Sequence, residues 1–173
     1  MDYHRRKMKN KALFLDRDGV INIDYGYVHT PEKFQFIDGI FDFIHYFQKR
    51  KYLIFVITNQ SGIERGYYSQ EDFFRVTQFM ENEFQKRGIT ITKIYYCPCL
   101  QCDCRKPNPK MILDAKREFG IELSQSILVG DKITDIEAGK SAGVGQNFLL
   151  SKDRTFQDIL NSLEKGNSVH FSR

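Results

Sequence analysis

Short apolar segments that end abruptly in polar residues recur along this 173-residue chain. The first, Ala12–Leu15, is continuously apolar, as in a strand buried on both faces of a parallel sheet, and it stops at Asp16. Two later segments stop in the same way at Thr58 and Asp131. The pattern predicts five strands, over residues 12–15, 52–57, 91–96, 126–130 and 147–150.

Segments with apolar residues at helical spacing separate these strands. Residues 38–50 carry an apolar face and close with cations, which favour a helix C-terminus. Ser69 and Asp72 resemble a capping box, as do Thr134 and Glu137. The predicted helices are 38–50, a helix from Ser69 to Gly88, a helix capped by Asn108 with Pro109 as its first residue and Gly120 at its end, a helix from Thr134 to Gly143, and a closing helix through Phe156, Ile159, Leu160 and Leu163.

Strands alternate with helices throughout, which predicts an α/β fold: a Rossmann-like parallel sheet with helices on both faces. The length suits one domain, expected over residues 11–165, after a basic N-terminal extension, 1–10, and before a frayed tail, 166–173. The loops leave no room for a separate cap domain, so an open site is expected.

The charge and composition limit the classes of partner. The formal net charge is only +4, from 26 basic and 22 acidic residues, and the basic residues are scattered beyond the first eleven. This favours an anionic small molecule over nucleic acid. No apolar segment is long enough for a signal peptide or a membrane span, so we expect a cytoplasmic monomer that binds neither nucleic acid nor membrane.

Polar groups suited to one reaction follow several of the predicted strands. Carboxyl ends of parallel strands meet at one edge of a sheet, where open α/β folds bind ligands. Carboxylates, a hydroxyl and cations gathered there suit phosphoryl transfer: a nucleophile, an acid, donors to the phosphoryl oxygens and a carboxylate for Mg²⁺. An Asp-x-Asp-Gly segment alone is also a common solvated turn, and no P-loop motif is present. The candidates are Asp16, Asp18, Thr58, Arg105, Lys106 and Asp131.

Four ordered motifs, DRDGVIN, TNQSG, CRKPNP and VGDKITDIEAG, closely resemble those of the haloacid-dehalogenase-type phosphatases. The similar branch holds the D-glycero-D-manno-heptose 1,7-bisphosphate 7-phosphatases and the histidinol-phosphate phosphatases. The resemblance implies that Asp16 is the nucleophile and that Asp18 is the acid and base. It also implies Mg²⁺ ligands from Asp16, the backbone carbonyl of Asp18 and Asp131, phosphoryl contacts from Thr58 and Lys106, substrate recognition by Arg105, and Lys132 beside the metal acid.

The loop after the first strand, DYGYVH, resembles the substrate loop of the heptose phosphatases. It implies sugar and phosphate contacts from Asp24, Tyr25, Gly26 and Tyr27 and from Asn59, Gln60 and Ser61. Arg65 either faces a second phosphate or is a solvated surface residue. The implied activity is a Mg²⁺-dependent hydrolase that removes the 7-phosphate of D-glycero-beta-D-manno-heptose 1,7-bisphosphate, although the sequence does not determine the anomer. The implied pathway makes nucleotide-activated heptose for lipopolysaccharide or another surface polysaccharide.

All four cysteines lie in one octapeptide, CPCLQCDC, here called the cysteine loop. Four thiolates this close in a reducing compartment favour one tetrahedral, structural Zn²⁺ site over disulfides or free thiols. The family usually has His where Cys99 stands, and its loop is often longer. The short loop is the feature that favours the alternative activity, histidinol-phosphate phosphatase; a non-catalytic phosphate-binding zinc module is the second alternative. The predicted zinc ligands are Cys97, Cys99, Cys102 and Cys104.

Overall fold

The structure, a computed structural model, describes residues 9–168. Its five strands are β1 (Ala12–Leu15), β2 (Leu53–Asn59), β3 (Lys93–Cys97), β4 (Ile127–Gly130) and β5 (Gln146–Leu149). They pair side by side in one parallel sheet, in the order β3-β2-β1-β4-β5. Central strand β1 pairs Leu15 with Val56 of β2 on one side and with Val129 of β4 on the other. All carboxyl ends therefore lie at one edge.

The helices cover both faces of the sheet, as the alternation predicted. Neighbouring residues of a strand point to opposite faces, so Leu13 and Leu15 join one core and Ala12 and Phe14 the other. The first core packs against α1, α2 and α5 and the second against α3 and α4. Burial of each large apolar side chain contributes about 1.5–3 kcal/mol. The helices are α1 (Ile40–Lys49), α2 (Gln70–Lys86), α3 (Lys110–Phe119), α4 (Ile133–Ala142) and α5 (Phe156–Ser168), with short 3₁₀ turns at Pro31–Lys33 and Leu123–Gln125.

Three predicted helix ends differ from the structure. The amide of Asn108 donates to the carbonyl of Arg105 in a turn, so Pro109 becomes the residue before α3 and Asn108 does not cap it. The second capping box was wrong: Lys132 is extended, and the carboxylate of Asp135, not Glu137, accepts from the Lys132 amide at 3.1 Å. Helix α5 runs to Ser168 and so includes the first three residues of the predicted tail; residues 169–173, and 1–8 of the basic extension, lie outside the described residues.

Strand β2 is longer than predicted. It continues past Ile57 to Asn59, because Thr58 and Asn59 still pair with Tyr96 and Cys97 of β3. Thr58 is therefore a buried residue of β2, close to the edge of the sheet at which the carboxyl ends of the strands lie. Within residues 9–168, no helix has the length and apolar character needed to cross a membrane.

Candidate active site

Three carboxylates gather where β1 and β4 end. Asp16 directly follows β1, Asp131 directly follows β4, and Asp135 lies in the first turn of α4. One oxygen from each lies within 4.8 Å of the others, and we call these three residues the acid cluster. Asp16 and Asp131 were predicted from the sequence, whereas Asp135 was not. The signal for it was present in VGDKITD, since residues four apart share one face of a helix start.

Lys106 enters the acid cluster from the loop before α3. Its Nζ atom lies 2.9 Å from Oδ1 of Asp16 and 2.6 Å from Oδ1 of Asp135, and it donates to the carbonyl of Ile57 at 2.7 Å. Burial alone would lower the pKa of Lys106, but Asp16 and Asp135 outweigh burial and raise it. The side chain is therefore a fixed ammonium.

Asp16 and Asp131 both hold protons more tightly than ordinary aspartates do. Burial raises the pKa of Asp16 well above its usual range; Lys106 opposes this, while Asp135 and Asp131 add to it. Burial, and then Asp135, raise the pKa of Asp131. One ammonium does not balance three carboxylates, so ionisation of the whole acid cluster requires a further cation.

The acid cluster fits a small divalent cation. Oδ1 of Asp131 is buried and has no hydrogen-bond partner among the described residues. Beside it, Gly19 has a φ of +90°, and a Cβ there would lie 2.0 Å from Oδ2 of Asp131, so only glycine leaves room. Carboxylate oxygens are the ligands that Mg²⁺ takes in proteins.

Asp18 has hydrogen bonds on both of its oxygens. Oδ1 accepts from Nη2 of Arg17 at 2.9 Å and from Nδ2 of Asn22 at 3.0 Å. Oδ2 accepts from Nε2 of Gln60 at 3.1 Å. These bonds hold the carboxylate two residues beyond Asp16 and outside the acid cluster.

Residues 58–60 carry the predicted phosphate contacts. Thr58 is buried, and its Oγ1 accepts from Nε2 of Gln60 at 2.8 Å. The side-chain amide of Asn59 donates to the carbonyl of Lys106 at 3.2 Å and accepts from its amide at 3.0 Å. Asn59 and Gln60 were predicted to contact substrate, but both side chains form hydrogen bonds within the protein. Asn59 reaches the backbone of Lys106 because β2 extends two residues further than predicted. Asn59 positions Lys106.

The predicted substrate loop lies at the rim of the site. Tyr25 and Tyr27 are 59% and 46% exposed, large fractions for aromatic rings. Gly26 and Tyr27 have positive φ values, and the Gly26 amide donates to Oδ1 of Asp24. Asp24 Oδ2 lies 4.0 Å from Nζ of Lys132, the residue directly before α4. The structure therefore brings Asp24, Tyr25, Gly26, Tyr27 and Lys132 together.

Two arginines and a serine lie farther out. Arg65 is exposed, and its Nε donates to Oγ of Ser61 at 3.4 Å. Arg105 is half-buried, and its Nη1 reaches the carbonyl of Cys99 at 3.5 Å. The cysteine loop therefore contacts the side chain of Arg105 through the carbonyl of Cys99.

The cysteine loop is held against the loop that follows β2. The amide of Gln60 donates to the carbonyl of Cys97 at 2.8 Å, and that of Glu64 to the carbonyl of Pro98 at 3.2 Å. The carboxylate of Glu64 also accepts from the amide of Leu100. These three bonds tie the loop to the protein without using a sulfur atom.

The sulfur atoms are joined in two disulfides, Cys97–Cys104 and Cys99–Cys102, each with Cα atoms 5.5 Å apart. The sequence pattern favoured zinc over disulfides. In the structure the cysteine loop doubles back on itself, so its four side chains converge and the sulfurs bond in pairs. Sulfurs of Cys97, Cys99 and Cys104 all lie within 4.8 Å of one another, a spacing that a metal can also share.

A model of the haloacid dehalogenase-like hydrolases matches residues 6–147. The chain belongs to this family. Among curated relatives, D-glycero-alpha-D-manno-heptose-1,7-bisphosphate 7-phosphatase of Campylobacter jejuni is 51% identical, over 88% of this chain and 89% of that protein. D-glycero-beta-D-manno-heptose-1,7-bisphosphate 7-phosphatase of Haemophilus influenzae is 45% identical, over 82% of each chain. The family resemblance expected from the sequence is confirmed.

A solved structure supports the fold of this haloacid dehalogenase-like hydrolase. D,D-heptose 1,7-bisphosphate phosphatase from B. bronchiseptica, crystallised with magnesium and phosphate, superposes with a TM-score of 0.74 at 30% identity. The match covers 79% of this chain and 78% of that one. The predicted fold class is therefore confirmed.

Proposed function

We propose that this protein is a Mg²⁺-dependent phosphatase that removes the 7-phosphate of D-glycero-D-manno-heptose 1,7-bisphosphate. The observation that carries the proposal is the ion pair of Asp16 with Lys106 beside a separately held Asp18, at the edge where β1 ends. The names of relatives that align over four fifths or more of the chain support the substrate.

Asp16 acts as the nucleophile. One of its carboxylate oxygens attacks phosphorus, the bond from phosphorus to the ester oxygen breaks, and an aspartyl-phosphate forms. Lys106 removes part of the repulsion between the anionic carboxylate and the anionic phosphate, since its ammonium already lies 2.9 Å from Asp16. The hydroxyl of Thr58 donates to a phosphoryl oxygen.

Asp18 moves the protons. It gives a proton to the departing alkoxide, and in the second step it takes one from the water that attacks the aspartyl-phosphate. Inorganic phosphate then leaves and Asp16 is regenerated. The different roles of Asp16 and Asp18 follow from their partners. Of these two carboxylates, Asp16 is the one paired with the buried ammonium of Lys106, whereas Asp18 accepts from Arg17.

Mg²⁺ would be held by carboxylate oxygens of Asp16 and Asp131 with the backbone carbonyl of Asp18. Asp135 is engaged on both oxygens, because Oδ1 pairs with Lys106 and Oδ2 accepts from the amides of Asp131 and Lys132, so we assign it a supporting role rather than that of a direct ligand. It holds the ligand-bearing segment in place. When bound, Mg²⁺ offsets the charge of the transferring phosphoryl group.

The exposed rim supports a sugar bisphosphate. Tyr25 and Tyr27 offer faces to a sugar, and Lys132, Arg65 and Arg105 surround the rim with cations for a second phosphate. The relatives carry both alpha and beta names, so the proposal covers both anomers. These names favour the heptose over the alternative substrate, histidinol phosphate. We therefore propose that the reaction is a step in the biosynthesis of nucleotide-activated heptose for surface polysaccharide.

We further propose that the reduced cysteine loop binds one structural Zn²⁺. Its four sulfurs match the ligand number of tetrahedral zinc, and three already lie within 4.8 Å of each other. Zinc would fix the backbone that carries Arg105 into the site.

The decisive experiment is phosphate release from both heptose anomers and from histidinol phosphate, with and without Mg²⁺. We expect rapid Mg²⁺-dependent release from the heptose only, loss of that release in Asp16→Asn, and full release in Asp153→Asn, an exposed control. Faster turnover of histidinol phosphate than of the heptose would contradict the proposed substrate. Binding of phosphate without turnover would instead indicate the non-catalytic module.

A further inference from the structure

Gln60 is hydrogen-bonded at both ends of its side-chain amide inside the protein. Nε2 donates to Oδ2 of Asp18 at 3.1 Å and to Oγ1 of Thr58 at 2.8 Å. Oε1 accepts from the hydroxyl of Tyr68 at 2.5 Å. Gln60 and Tyr68 are 3% and 6% exposed, so these bonds do not compete with bulk water.

Tyr68 decides which end of the Gln60 amide faces Asp18. Burial, chiefly, raises the pKa of Tyr68 to about 12, so the hydroxyl keeps its proton and donates. Only the amide oxygen can accept that proton, which leaves the two N–H groups for Asp18 and Thr58. The ring of Tyr68 is itself fixed: it stacks on His29, with centroids 5.0 Å apart, and a Cβ at Gly62 would lie 2.1 Å from its Cε1.

The hydrogen bonds of Asp18 indicate which of its two oxygens carries the proton. Oδ1 already accepts from Arg17 and Asn22, which uses both of its lone pairs. Among the residues that the structure describes, Oδ2 accepts only from Gln60, so it has room for a proton. Thr58 is oriented too: its Oγ1 accepts from Gln60 at 2.8 Å, and its own hydrogen reaches the carbonyl of Asn59 only at a long 3.4 Å, a bond that a phosphoryl oxygen can replace.

We propose that Tyr68 and Gln60 are positioning residues that act in series, Tyr68 on Gln60 and Gln60 on Asp18 and Thr58. They hold Oδ2 of Asp18 as the proton-carrying oxygen and aim the Thr58 hydroxyl at phosphate. In this proposal neither residue contacts the substrate: Gln60 acts through its hydrogen bonds to Asp18 and Thr58, and Tyr68 acts through Gln60. The proposal rests on the proposed phosphatase function and assigns to Gln60 a role other than substrate contact.

The test compares two leaving groups by kcat/KM, which reports the first chemical step. An alkoxide leaves only when it is protonated, whereas p-nitrophenolate leaves without a proton. Tyr68→Phe removes one hydroxyl and keeps the stacked ring. We expect kcat/KM to fall about tenfold for heptose 1,7-bisphosphate and roughly threefold or less for p-nitrophenyl phosphate. Tyr52→Phe, at the opposite edge of the sheet, should match the wild type on both. No loss, or equal losses on the two substrates, would overturn the proposal.

A second variant separates positioning from general damage. Gln60→Met keeps the length of the side chain and removes its three hydrogen bonds, so it should show the same selective loss. Because Tyr68 acts only through Gln60, the double variant should be no worse than Gln60→Met alone. Additive losses would contradict action in series. If wild-type protein hydrolyses neither ester, the proposed function fails and this proposal with it; if it hydrolyses only alkyl phosphates other than the heptose, the comparison uses that alkyl phosphate.

Discussion

The ammonium of Lys106 lies 2.9 Å from Oδ1 of Asp16 although the two residues are 90 positions apart. Removal of this ammonium in Lys106→Met leaves Asp16 and Asp135 buried without a cation. We expect a loss of about 3–5 kcal/mol in the free energy of unfolding, measured by urea denaturation without Mg²⁺, and loss of phosphatase activity. Lys110→Met, which breaks an exposed pair with Asp114, is the control and should keep its activity. A variant at position 106 as stable as the wild type would contradict this assignment.

Stability without Mg²⁺ should fall as the pH rises. Burial raises the pKa values of Asp16 and Asp131, so between the ordinary aspartate pKa of about 3.9 and the raised values the native state binds more protons than the unfolded state. The free energy of unfolding therefore decreases through that window. Mg²⁺ binds the ionised carboxylates and should raise the melting temperature more at pH 8 than at pH 5. Thermal scans at both pH values test this, and an equal Mg²⁺ effect at the two would refute it.

Gly19→Ala should abolish Mg²⁺ binding. The new Cβ would lie 2.0 Å from Oδ2 of Asp131, and the positive φ adds about 1–2 kcal/mol of backbone cost. Gly26→Ala is a matched control, because Gly26 has a similar φ of +82° and open space around its Cβ position. Isothermal titration with Mg²⁺ should show unchanged affinity in Gly26→Ala. Retained affinity in Gly19→Ala would show that the ion does not bind at Asp131.

Asp135→Asn should reduce activity through Lys106. The change weakens the pair with Lys106 and the bonds to the amides of Asp131 and Lys132, and we expect about 1–2 kcal/mol of lost stability with at least a tenfold fall in kcat. Asp158→Asn disturbs the similar start of α5, where Asp158 accepts from the Thr155 amide far from the acid cluster. It should lose stability without losing kcat. If the two variants had a similar kcat, the role of Asp135 would be limited to capping α4.

Cys102→Ser should lower both the zinc content and the melting temperature of reduced protein, because metal binding and folding are coupled. Metal analysis after purification under reducing conditions, with calorimetry on the same sample, checks both. If the loop is held by disulfides instead, the reduced wild type contains no zinc, and the variant differs from the wild type only under oxidising conditions.

The sequence was informative where local pattern and parallel topology act together. Asp16 and Asp131 were predicted because each follows an apolar strand, and parallel strands place those ends side by side. Asp135 was missed because an acid in the first helical turn is also an ordinary cap. The inward direction of Asn59 could not be predicted, since its partner lies 47 residues away and depends on β2 continuing two residues further. The same octapeptide allows either disulfides or a metal, so composition alone could not decide between them.

The side-chain amide of Asn59 bonds both the backbone N–H and the carbonyl of Lys106. The ammonium of Lys106 contacts Asp16, Asp135 and the carbonyl of Ile57. No sulfur atom takes part in these contacts. The position of Lys106 is therefore set by Asn59, Ile57 and the acid cluster, and not by the sulfur atoms of the loop that precedes it. A change in the length of the cysteine loop should alter the entrance beside Arg105 and leave Lys106 at the same point.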